Sequence, residues 1–119
     1  MKLFELTLEL EKTLDELKEY YLTHERPKNK RDMAFFEYVK DRTNPIFIKI
    51  DLWFELASKF VQNREINVHP SQIQSTEENY KLILLHSYYV DVRKKRYMEL
   101  FQSISYVFDL VKKDINKYN

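Results

Sequence analysis

Five carboxylates and three histidines are the side chains whose types and spacing suggest chemistry. Glu11, Asp15 and Glu19 stand four residues apart, as do Asp51 and Glu55, and that spacing aligns carboxylates along one helical face. Carboxylates paired inside a helical bundle hold di-iron or di-manganese centres when a Glu-x-x-His motif on each of two helices joins them. No Glu-x-x-His occurs in this chain. The first trio also points away from a leucine stripe, so a solvated face is expected for it. Asp51 adjoins a wide aromatic face; buried there, it would need a partner such as Arg96 or a tyrosine hydroxyl. His24, His69 and His86 are scattered, whereas zinc requires three or four convergent ligands. Glu65 and His69 are four apart, but in a linker. His86 and Ser87 are sequence neighbours, which on a helix do not face each other, so they are no nucleophile–base pair. Without cysteine there is no thiolate ligand, thiol nucleophile or disulfide. No catalytic residue, cofactor or metal site is expected.

Arg93, Lys94, Lys95 and Arg96 form the one dense basic cluster. They oppose the macrodipole at the start of a helix, which points to a partner or to acids from a neighbouring helix. Such a cluster can meet phosphates, and Tyr88, Tyr89 and Tyr97 are candidate stacking platforms for bases. The formal net charge of +1 argues against general steering towards nucleic acid or an acidic membrane. Trp53, Phe54, Tyr20, Tyr88 and Tyr89 exceed what one stripe per helix readily hides. Most are assigned to a wide core, with a groove or dimer face, where Tyr and Trp act as anchors, as the alternative.

Glycine is absent from all 119 residues, where average usage gives roughly eight. A chain without it builds no P-loop, dinucleotide fingerprint or nucleophile elbow. Helix remains easy, and the apolar pattern is helical throughout. Leu3, Leu6, Leu10, Leu14, Leu17 and Tyr21 predict a first helix ending near Thr23-His24. Asp32 is a candidate cap for a second helix. Asn44-Pro45 is expected to kink or break it, because proline disfavours helical backbone at the preceding residue. Ile46, Ile50, Trp53, Ala57 and Phe60 continue the face, widened by Phe47, Phe54 and Val61. Residues 63–74 read as the longest linker, with a short helical turn available at His69-Pro70 and a weak strand-like alternation over Glu65–His69. Ser75 and Glu78 carry a capping-box signature for the third helix. Asp91 is the expected cap of the last one. There Tyr97, Phe101, Ile104, Phe108, Val111, Ile115 and Tyr118 recur at four and three without a miss, widened by Leu100 and Val107.

These patterns predict an all-α fold: a four-helix up-and-down bundle of one domain over 1–119, its second helix kinked or broken near Pro45. The N-terminus has no apolar core of a signal peptide, and no run approaches the ~20 apolar residues that span a bilayer.

Trp53, Ala57, Arg64, His69-Pro70-Ser71-Gln72-Ile73 and Thr76-Glu77-Glu78-Asn79 resemble the YppE-like family of small uncharacterised bacterial proteins. So do Ser87-Tyr88-Tyr89, Lys95-Arg96-Tyr97-Met98-Glu99 and Ser105-Tyr106. The likeness covers most of residues 30–115. It implies a four-helix bundle and a bacterial cytoplasmic setting, and it supplies no activity. The functional expectation is a non-enzymatic protein-interaction or regulatory module, monomeric or homodimeric, that meets a protein partner and no membrane. Its candidate contacts are Arg93, Lys94, Lys95, Arg96, Tyr88, Tyr89 and Trp53. A nucleic-acid-associated protein using residues 93–96 is the alternative.

Overall fold

In the computed structural model, which describes residues 2–24, 32–89 and 92–116, four helices follow one another: α1 (Lys2–Thr23), α2 (Met33–Gln62), α3 (Pro70–Tyr88) and α4 (Lys94–Asn116). Among the described residues there is no strand. The leucine stripe of α1 is buried from Leu3 to Leu17, and Tyr21 continues it by stacking on Tyr97 with ring centroids 3.9 Å apart. α1 ends where expected. There Thr23 Oγ1 donates to the Glu19 carbonyl, and the His24 N–H donates to the Tyr20 carbonyl.

Asp32 caps α2 as its type predicts, its carboxylate accepting from the N–H groups of Ala34 and Phe35. The helix is not broken at Pro45, and Asn44 does not cap a new one. Proline removes one N–H and leaves the Asp41 carbonyl without its intrahelical donor. Both residues lie on the exposed face of the helix. On the opposite face Thr43, Ile46, Ile50, Trp53 and Ala57 stay buried, so packing carries the helix through the proline. At the C-terminus Arg64 adopts φ 59°, while the Glu65 N–H reaches the Phe60 carbonyl at 2.8 Å and the Arg64 N–H that of Val61 at 3.0 Å. This left-handed closing turn usually employs glycine. In a glycine-free chain an arginine occupies it.

α3 begins five residues before the expected cap at Ser75. His69 is the N-cap: its Nδ1 accepts from the Ser71 N–H, and Gln72 Oε1 accepts from the His69 N–H. A capping box is therefore present, but with an imidazole as acceptor and a glutamine at its third position; Ser75 and Glu78 lie inside the helix. The alternation over residues 65–69 is real without being a strand. Ile66 and Val68 bury against the end of the core, and the Asn67 N–H donates to Asp114 of α4. In α4 every position of the stripe from Tyr97 to Ile115 is buried except Phe101, which is half-buried beneath the Lys18 ammonium. Asp91 and Tyr118 lie outside the described residues.

Neighbouring helices run antiparallel. Glu9 meets Lys49 and Glu16 meets Arg42 between α1 and α2; Ser87 meets Tyr97 between α3 and α4; Glu11 meets Lys112 between α1 and α4. The α1–α3 diagonal is closed by the Tyr80 hydroxyl donating to the Leu10 carbonyl at 2.9 Å. The result is the expected up-and-down bundle. Its centre is Trp53, fully buried and edge-on to Phe108, with its indole N–H donating to Thr7 Oγ1 at 3.0 Å. Such buried polar ties fix which turn of one helix meets which turn of the next.

Candidate functional site

The carboxylates are drawn into separate pairs. Glu11 is half-buried and grips Lys112 at 2.8 Å, so it belongs to the α1–α4 seam rather than to an open acidic face; Asp15 and Glu19 are exposed. Asp51 is exposed, and its partner is Lys81 at 2.8 Å, not Arg96 or a tyrosine. Lys81 also holds Glu77 at 2.9 Å. Glu55 pairs with Lys59 along α2, and His86 is half-buried with Nδ1 unpartnered. Asp51, Glu55 and His86 thus do not converge on one cavity. Among the described residues no three His, Asp or Glu side chains are grouped to hold a metal ion.

Each shifted group is moved further into the charge state it already has at neutral pH. Hydrogen bonds to Asp51 and Glu77 hold the Lys81 ammonium above the usual lysine range, and Glu11 does the same for Lys112. Burial pulls the Arg42 guanidinium down, but Glu16 and Tyr88 outweigh it and the net movement is upward. Burial pushes the phenols of Tyr80 and Tyr88 up. None of these shifts prepares a group to exchange protons near pH 7.

Of the candidate contact residues, Trp53 and Tyr88 are buried, so neither presents a surface to a partner. Tyr88 packs against the Tyr20 ring, and Trp53 fills the core because its one polar atom is satisfied by Thr7. Tyr97 is likewise buried, stacked on Tyr21. Arg93, Lys94, Lys95 and Arg96 are exposed at the start of α4. Among the described residues their one ion pair is Arg96 with Glu99 in the same helix, at 3.7 Å, so acids from a neighbouring helix do not offset the macrodipole there.

Tyr89 is the candidate contact whose surroundings form a site. It closes one end of an apolar cleft between α2 and α3. The cleft has a volume of about 170 Å³ and is lined by Phe36, Val39, Phe47, Leu84 and Leu85 together with Lys40, Thr43 and Asn44. Phe36 and Leu85 are each nearly half exposed, at 45% and 46%. The Tyr89 ring lies edge-on to Phe35, and its hydroxyl is shielded from solvent without a hydrogen-bond partner. Burial, followed by the charge of Asp32, raises its pKa. The sequence signal for this cleft was the widening of the α2 face: Phe36, Lys40 and Phe47 form a second row beside the buried stripe, and Leu85 flanks the α3 face. A second groove of about 540 Å³, between α3 and α4, is lined by neutral hydroxyls and amides together with Tyr106 and Val107.

No described helix is long and apolar enough to cross a membrane. Residues 7–115 match the model of a bacterial domain of unknown function, DUF1798. The uncharacterized protein YppE of Bacillus subtilis (strain 168) is 29% identical over 82 residues, which span 68% of this chain and 67% of that protein. The crystal structure of yppE from Bacillus subtilis superposes with a TM-score of 0.83 at 24% identity, covering 98% of this chain and 94% of that one, a likeness of fold.

Proposed function

This chain belongs to the bacterial DUF1798 family, and from that premise we propose that it is a non-enzymatic protein-interaction module whose docking surface is the cleft between α2 and α3. The observation that carries this reading is an apolar cleft left open beside a well-filled core, with Phe36 and Leu85 half out of it. Rings and aliphatic side chains exposed around a concavity are typical anchors for a partner. The paired carboxylates and the direction of the pKa shifts support a role without catalysis. The cysteine-free composition suits the reducing bacterial cytoplasm, where we place the protein. Nucleic-acid binding through residues 93–96 keeps its exposed cations but loses the stacking platforms of Tyr88 and Tyr97. Site-specific photo-crosslinking in bacterial cells tests the proposal. A photoreactive residue at position 36 or 85 should give the same discrete protein adduct, and one at exposed position 106 should not. No adduct from the cleft, or an identical adduct from position 106, would refute it.

A further inference from the structure

The α2–α3 cleft carries one exposed cation, Lys40, beside an apolar surface. Accepting that this cleft binds a protein, we infer that its occupant is an acidic amphipathic helix of the partner: apolar side chains enter between Phe36, Phe47 and Leu85, and an adjoining carboxylate meets Lys40.

Size argues first. A volume of about 170 Å³ falls short of the ~300–1,000 Å³ that encloses a cofactor or drug-sized ligand. It suits one or two side chains of a larger body lying across the opening. Backbone follows from fold. No strand edge exists among the described residues, so a partner strand has nothing to extend. The cleft instead runs between two antiparallel helices, the setting in which an amphipathic helix lays its apolar face.

Charge then selects the partner's sign. Arg42, Lys49 and Lys59 of α2 each face a carboxylate, from Glu16, Glu9 and Glu55 respectively. Lys40 is exposed and, among the described residues, meets none; even Glu37, one turn before it on the same helix, is not within ion-pair distance. It is the one ammonium lining the cleft. A carboxylate brought beside it would be attracted from a distance, and apolar walls would exclude water around the pair.

The test uses two synthetic 16-residue helical peptides with the same leucines at i, i+3, i+4 and i+7. They differ only in flanking residues, glutamate in one and lysine in the other. Each is titrated into the full chain while backbone amide resonances are followed by NMR. The glutamate peptide should shift residues 36, 40, 47, 85 and 89 saturably and bind at least tenfold more tightly than the lysine peptide. Lys40→Glu should reverse that order. Equal affinities, a preference for the lysine peptide, or no shift in the cleft with either peptide would overturn the inference. If position 36 still crosslinks to a partner in cells, only the acidic-helix inference falls; if that crosslink also fails, the docking reading falls with it.

Discussion

The bond between Trp53 and Thr7 makes a measurable claim about what aligns α1 with α2. Both residues are fully buried, and the indole N–H has Thr7 Oγ1 as its acceptor at 3.0 Å. Thr7→Val keeps the shape of the side chain and removes the acceptor. The Thr7 hydroxyl also donates to the Leu3 carbonyl at 2.7 Å, but that carbonyl keeps its helical N–H donor, so the variant orphans only the indole. A buried donor without a partner costs about 1–3 kcal/mol. The extra buried methyl returns at most about 0.8 kcal/mol, and Thr and Val have similar helix propensities. The net loss should be about 0.2–2 kcal/mol, or up to roughly 10 °C in Tm for a chain of this size. Trp53→Phe removes the N–H and also leaves a void, so the informative quantity is the double-mutant cycle. In the Trp53→Phe background Thr7→Val should cost nothing or stabilise slightly, giving a coupling of about 1–2 kcal/mol. Urea unfolding followed by helical circular dichroism serves all four proteins, since Trp53 is the one tryptophan and fluorescence is lost with it. Equal costs of Thr7→Val in both backgrounds would refute the claim that this hydrogen bond, rather than side-chain shape, joins the two helices.

Two further predictions follow from the helix and its seams. Pro45→Ala should stabilise the protein by about 1–2 kcal/mol: it restores an N–H to the Asp41 carbonyl and relieves the ring contact, less the entropy regained by the unfolded chain. Chemical denaturation checks this, and an unchanged or lowered midpoint would mean that residues 44–45 separate two helices. Lys112, held by Glu11 and then Asp109, has its pKa raised above 10.5. Its folded state therefore binds the proton more tightly than the unfolded chain. That stabilisation is complete below the unfolded value and is lost as pH rises through the folded one. The stability difference between wild type and Lys112→Met should be constant up to about pH 10 and shrink above it in thermal melts; a gap that widens at high pH would contradict the pairing.

The bundle was legible because burial in helices leaves a period. Leu3 to Leu17 and Tyr97 to Ile115 repeat at three and four, and the structure buries nearly all of them. Helix starts were less legible, because cap acceptors are interchangeable. A Ser75–Glu78 signature reads as a start, yet His69 and Gln72 satisfy the orphan N–H groups of a start six residues earlier, with Pro70 preset at the first position. Pro45 left a kink and a break equally open for a related reason: a local preference near proline was set against buried side chains on the opposite face, and the packing keeps α2 one continuous helix. Thr7 was positioned to be read, since it lies on the leucine stripe of α1. Its role depends on Trp53, 46 residues away, and no local pattern contains that pairing.

The site was less legible than the fold for a reason that belongs to bundles in general. Catalytic and metal sites announce themselves in side-chain type, and here the candidate groups were dispersed into pairs such as Asp51 with Lys81 and Glu11 with Lys112. A docking cleft is made from the same phenylalanines and leucines as the core. Phe36 and Phe47 are one row removed from Val39, Thr43 and Ile46 on α2, and only the separation of α2 from α3 decides which row is sealed and which is left open. Composition is blind to that separation. What the sequence does carry is an excess: α2 has more large apolar side chains around its circumference than one buried stripe requires. Lys40 then becomes informative through its surroundings: under the docking proposal, an exposed cation beside Phe36 and Phe47 stands where an acidic partner would meet it.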